Sequence, residues 1–187
     1  MFPVVIDLRN KRAVVIGAGT IGVHKMKQLI EAGAYVVAIS DEVLTPLPEG
    51  VGEFHQRRYA YGDLEGAFMV VTATGDPAVN DVVVTEANER NILLNSVDDL
   101  NRCNFYFTAT HRDGDVLVSV SSSGASPALA QWVRSTIVKA LPRNLASVAA
   151  TLRKERQALH AEGKSTENLP WMERVTQLID ETSDASR

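Results

Sequence analysis

The apolar positions of this chain come first as short unbroken runs and later at helical spacing. "RAVVIGAGTIG" reads as a buried strand over residues 12–16 that runs into a glycine turn. Behind it Met26, Leu29, Ile30 and Gly33 recur at helical spacing and predict a helix with one apolar face. "AYVVAIS" predicts a second strand, residues 54–58 a third, "GAFMVVTAT" a fourth and "ILLN" a fifth. "PAVNDVVVTEANERN" predicts a helix with Pro77 in its first turn. Strands that alternate with helices make a parallel sheet covered on both faces.

After Asp98 the pattern changes. "NFYFTATHRDGDVLVSVS" predicts two strands around Asp113-Gly114, a tight turn with positive φ at both positions. Val116, Val118 and Val120 share one face of the second strand. "SSSGASPALAQWVRSTIVKAL" then opens a helix, with Ser126 as N-cap and Pro127 at the first helical position. Leu129, Trp132, Val133, Thr136, Ile137 and Ala140 are its expected buried stripe, core or interface. Pro142 ends it. Residues 143–161 predict a further helix with Leu145, Val148, Ala149, Leu152 and Leu159 on one side, and residues 169–180 a last short one.

The spacing Gly17-x-Gly19-x-x-Gly22 changes the picture, because it sits between a strand and a helix. Gly17 permits the tight turn, Gly19 lets backbone approach a pyrophosphate, and Gly22 lets helix pack on strand. Thr20 and Ile21 open the helix, whose free N–H groups suit phosphate. The expected cofactor is NAD. Its ribose acid should end the second strand: Ser40 and Asp41 are the candidates, Glu42 is a third, or none of them serves. An Asp there accepts ribose hydroxyls and repels a 2′-phosphate. Thr72, Ala73 and Thr74, at the end of the fourth strand, complete the cofactor-side candidates. The competing reading is a Rossmann-like domain whose glycines serve packing alone.

Ligands of open α/β sheets bind beyond the carboxyl ends of the strands, and Asp98 lies just past the fifth. It is either a substrate-side base or, with Asp99 and Asn101, an ordinary turn or cap residue.

Composition narrows the classes. The chain has 187 residues, enough for one domain with an appendage, and a net charge of −4 that argues against a nucleic-acid partner. The single cysteine, Cys103, excludes an internal disulfide and suits a reducing compartment. It is expected to be a buried strand residue and not a nucleophile. No basic leader opens the chain, and no apolar run approaches the ~20 residues of a membrane helix, so a cytoplasmic protein is expected. The four histidines, His24, His55, His111 and His160, lack ligand spacing, so no permanent metal site is expected.

Four segments together carry a resemblance: "FPVVIDLRNKRAVVIGAGTIGVHKMKQLIEAGA", "VVTATGDPAVN", "NSVDDLNRCNFYF" and "VLVSVSSSGASPALAQWVR". In order and spacing, over about residues 2–145, the chain resembles the precorrin-2 dehydrogenase/sirohydrochlorin ferrochelatase family, the N-terminal module of siroheme synthases and its stand-alone form. The resemblance implies NAD-dependent oxidation of precorrin-2 to sirohydrochlorin, with Asp98 as the essential acid. It implies a Rossmann-type NAD-binding domain over residues 1–112, a hairpin-plus-helix dimerisation segment over 113–141 and a small helical domain over 142–187, assembled as a homodimer. It puts Ser122 near the active cleft, with Ser123 and Gly124 in the same turn. His111 and Arg112 join the substrate-side candidates. Lys25, Arg102 and Arg134 are further cations for a polycarboxylate. His24, Thr108 and Ser123 depart from the family's usual residues. A bifunctional enzyme that also inserts Fe(II) or Co(II), a nucleotide-sensing regulatory module and a tetrapyrrole-delivery protein are the alternatives.

Overall fold

The computed structural model describes residues 1–97 and 99–184. Its contacts divide the chain into two units, Met1–Tyr106 and Phe107–Arg187.

The first unit is built on β1 (Arg12–Ala18), α1 (Thr20–Glu31), β2 (Tyr35–Val43), β3 (Val51–His55), β4 (Met69–Thr72), α2 (Pro77–Glu89) and β5 (Leu93–Ser96). The strands form one parallel sheet in the order β3-β2-β1-β4-β5. β1 and β4 are fully buried along most of their length, which is why they read as continuous apolar runs. Val14, Ile16, Val37, Ile39, Val70 and Leu94 form the core with Val83 and Ala87 of α2. Helix α1 buries Gly22, Val23, Met26 and Leu29; Gly33, placed on its apolar face by spacing, lies beyond the helix in a turn. The third strand starts earlier than the expected 54–58, since the register with β2 already begins at Val51.

Asp76 caps α2 by accepting from Ala78 N and Val79 N, with Pro77 behind it. After β5 the chain turns into a short 3-10 helix, Leu100–Arg102, capped by Asp99, which accepts from Asn101 N at 3.0 Å. The cap reading therefore holds for Asp99. Asp98 lies outside the described residues.

The second unit opens with the hairpin β6 (Ala109–Asp113) and β7 (Val116–Val120). Asp113 pairs with Val116, so the turn pair is Gly114-Asp115 and not Asp113-Gly114. Only Gly114 has positive φ, at +57°, as suits a glycine at the first central position. The first strand is also shorter than "NFYFTATHRD", because Asn104 and Phe105 are bonded to β5 instead. Helices α3 (Pro127–Ala140), α4 (Leu145–Ala161) and α5 (Trp171–Asp184) follow. Ser126 caps α3 through Leu129 N at 3.2 Å. The expected buried stripe of α3 is corrected: Ala130 is its buried residue, while Leu129 and Trp132 are 52% and 66% exposed. Val133, Arg134 and Val138 are partly buried, while Leu129, Trp132 and Ile137 stand exposed. No helix among the described residues is long and apolar enough to cross a membrane.

Candidate active site

The strand order reverses direction between β1 and β4, and there the glycine turn meets the end of β4. Ala73 N donates to Ile16 O at 2.8 Å, drawing Ala73 over the turn. The three glycines then do different work. Gly17 has φ +101°, and a Cβ on it would lie 2.4 Å from Ala73 O. A Cβ on Gly22 would lie 2.0 Å from Gly17 O, so only glycine lets α1 close on the strand. A Cβ on Gly19 would meet nothing within 4 Å. Gly19 therefore serves no internal packing and leaves its space open to a ligand. It is also the N-cap of α1, with no side-chain cap, so the first-turn N–H groups face outward for an anion. These features fit a dinucleotide's pyrophosphate.

A cleft of about 420 Å³ opens here. Of the cofactor-side candidates it gathers Gly17, Gly19, Ile21, Ser40, Asp41, Ala73 and Thr74. Thr20 begins α1 at the exposed surface; Gly22 and Thr72 are buried behind the cleft. Ser40 is spent within the fold: its Oγ accepts from Ala18 N at 3.1 Å and donates to Glu42 O at 2.6 Å. Asp41 and Glu42 both lie in the exposed last stretch of β2 and line the cleft, and Asp41 pairs with Arg58 at 3.1 Å. Sequence reasoning missed the far wall, made by Arg57, Arg58 and Tyr59 after β3. The two adjacent arginines at the end of a weak strand were the available signal.

That wall is anchored from below. Tyr59 donates its hydroxyl at 2.5 Å to Glu86 of α2, whose side chain is fully buried. Glu86 also accepts from Gly62 N at 2.7 Å and pairs with Arg90 Nε at 2.8 Å. Burial first, and the Glu86 carboxylate second, hold the Tyr59 hydroxyl well above the ordinary tyrosine range.

Gly75 lines both this cleft and a smaller pocket of about 200 Å³ formed with Pro77, Asn80, Ser96, Asp99 and Arg102. Asn80 is oriented by two hydroxyls: Thr72 and Thr74 both donate to its Oδ1. Arg102 is tied to Asp81 and, at 3.0 Å, to Asp99. The chain flanking position 98 is bound back onto β5. Asn104 Oδ1 accepts from Leu94 N at 2.7 Å, and Asn95 Nδ2 donates to Phe105 O at 3.0 Å. Cys103 is a half-buried loop residue and not the expected strand residue. Its Sγ accepts from Ser96 N at 3.2 Å, and burial pushes the thiol up, so it stays protonated and structural.

The second unit carries the other candidates. Ser122 Oγ accepts from Ser126 N at 3.0 Å and donates to Ser126 O at 2.9 Å, closing the turn that starts α3. Ser123 and Gly124 both have positive φ there. His111 and Arg112 are neighbours on β6 and therefore face opposite sides of the hairpin, His111 partly buried and Arg112 exposed. Arg134 is partly buried on α3, and Lys25 of α1, in the first unit, is held below its ordinary range by burial.

A parallel sheet with a glycine turn at the switch point and an open helix N-terminus define a Rossmann-type dinucleotide-binding protein. Residues 4–109 match the family described as "Putative NAD(P)-binding", and the chain belongs to that family, with a nicotinamide dinucleotide as its cofactor. A siroheme synthase of Photorhabdus laumondii is 32% identical over 159 residues, 83% of this chain and 34% of its own length. That of Methylococcus capsulatus is 36% identical over 165 residues, 84% of this chain and 35% of its own. The resemblance read from the motifs thus extends over most of the chain, which spans about a third of these relatives. Among solved structures, the precorrin-2 dehydrogenase SirC shares the fold, with a TM-score of 0.70 at 23% identity over 97% of this chain and 88% of its own.

Proposed function

We propose that the chain is an NAD-dependent dehydrogenase that converts precorrin-2 to sirohydrochlorin, on a route to siroheme or a cobalt corrinoid. The observation that carries this reading is the pair of pockets joined at Gly75. The larger suits a dinucleotide; the smaller is lined by Ser96, which ends β5, and by Asp99 and Arg102. Bound NAD supplies the hydride acceptor. The chain itself must take the proton that leaves the substrate with the hydride, and Asp98 is assigned that role. Cys103 and Asn104, further along the chain, are bonded back to β5. A polycarboxylate substrate calls for donors and cations, a role for Ser123, Gly124 and one of His111 and Arg112, which face opposite sides of β6, while Ser122, bonded to Ser126, shapes the turn. The similarity to siroheme synthases and to the SirC fold supports the same substrate class.

Anaerobic mixing with precorrin-2 and NAD tests this. The precorrin-2 spectrum is expected to give way to that of sirohydrochlorin, and Asp98→Ala to lower kcat by about a hundredfold while NAD still binds. Normal NAD binding with no change in the precorrin-2 spectrum would remove the proposal.

The protein acts in the cytoplasm as a homodimer. Support comes from the outward apolar face of α3, where Trp132 and Leu129 stand exposed with Ile137. Light scattering is expected to give twice the 20.3 kDa chain mass, and Trp132→Glu about one chain mass.

A further inference from the structure

The parallel register of β2 and β3 brings two arginines to the ribose acid. Ile39 pairs with His55, so Asp41, in the last stretch of β2, and Arg57-Arg58, just past β3, lie at the same rim of the sheet. Arg57 is locked. Its two Nη groups hold Asp63 at 2.7 Å each, Nη1 also donates to Arg58 O at 3.0 Å, and Asp63 in turn accepts from Ala60 N at 2.9 Å. This fork keeps the Asp63 carboxyl below its usual range. Arg58 is therefore fixed at its backbone but free at its tip. Its side chain is 75% exposed and touches Asp41 through Nε alone, at 3.1 Å. Its Nη groups have no partner among the described residues.

We propose that Arg58, presented by the Arg57–Asp63 fork, forms a latent subsite for a ribose 2′-phosphate, held shut by Asp41. An exposed ion pair of this kind is readily exchanged. A phosphate monoester carries nearly two charges and offers three acceptor oxygens, so it outcompetes a carboxylate for a guanidinium. With Asp41 in place, the phosphate also meets a like charge at short range. The wild-type cleft thus takes NAD because one carboxylate both receives ribose hydroxyls and occupies the arginine that would serve NADP. The inference rests on the dinucleotide reading of the cleft and is independent of the tetrapyrrole chemistry.

Direct titration without tetrapyrrole tests it, with NAD, NADP, and the fragments 5′-AMP and adenosine 2′,5′-bisphosphate as probes. Wild type is expected to prefer NAD by about tenfold or more. Asp41→Asn is expected to weaken NAD and to tighten NADP and the bisphosphate by about tenfold, and Asp41→Asn with Arg58→Ala to cancel that gain. Asp41→Asn that leaves NADP unchanged, or a gain that survives loss of Arg58, overturns the subsite while the dinucleotide reading stands. Wild type that binds neither dinucleotide overturns both.

Discussion

Gly19→Val is expected to abolish saturable NAD binding while the protein stays folded. The open space above Gly19 is filled by the new side chain, which then stands where a pyrophosphate must approach the first turn of α1. A loss of at least a hundredfold corresponds to about 2.7 kcal/mol. Stability changes little, because Gly19 has φ −78° and ψ 179°, extended backbone that valine adopts freely. The cost is that of a poorer N-cap, about 1 kcal/mol, or some 2–4 °C in Tm. Gly22→Val separates the two roles. Its Cβ would fall 2.0 Å from Gly17 O, so α1 must leave the strand. That overpacking is expected to cost about 3 kcal/mol and to lower Tm by about 10 °C. Calorimetric titration and thermal melts on both variants check the pair. If Gly19→Val binds NAD normally, the cleft is not the dinucleotide site.

Glu86→Ala is expected to cost about 3–5 kcal/mol, read from the midpoint and slope of urea unfolding. It strands three groups at once: the Tyr59 hydroxyl, Gly62 N and Arg90. Because Tyr59 lines the cleft, the same change should weaken NAD binding without touching the glycine turn. The tyrosine also sets an alkaline limit. Its folded pKa lies above the unfolded value of about 10, so its contribution is complete below pH ~10 and is lost as pH rises beyond it. Tyr35 and Tyr61 are shifted the same way, but they sit at the exposed surface beside Glu53 and Glu89. Urea unfolding between pH 8 and 11 is expected to fall less steeply in Tyr59→Phe than in wild type. An equal fall would remove Tyr59 from the account.

Much of the first unit was legible because its signals are local. The apolar runs at β1, β4 and β5 carry their own burial, and Gly17-x-Gly19-x-x-Gly22 carries its own turn. Ser126 and Pro127 announced the start of α3 for the same reason. The stripe of α3 was legible as apolar but not as core, since periodicity shows that a face is apolar but not what covers it. The hairpin turn shifted by one residue because Asp-Gly and Gly-Asp both satisfy a tight turn, and cross-strand register chooses between them. Asn104 and Cys103 gave no signal: their bonds run back to β5 across a loop that has no period.

By itself, then, the sequence determined the alternation of strands and helices and the glycine turn with its dinucleotide. These depend on contacts within one turn or one strand. Only the tertiary structure decided that Arg58 faces Asp41 across 17 residues and that a buried Glu86 anchors Tyr59 across 27. Pairings of that kind are set by strand order and register, which no local pattern of residues encodes.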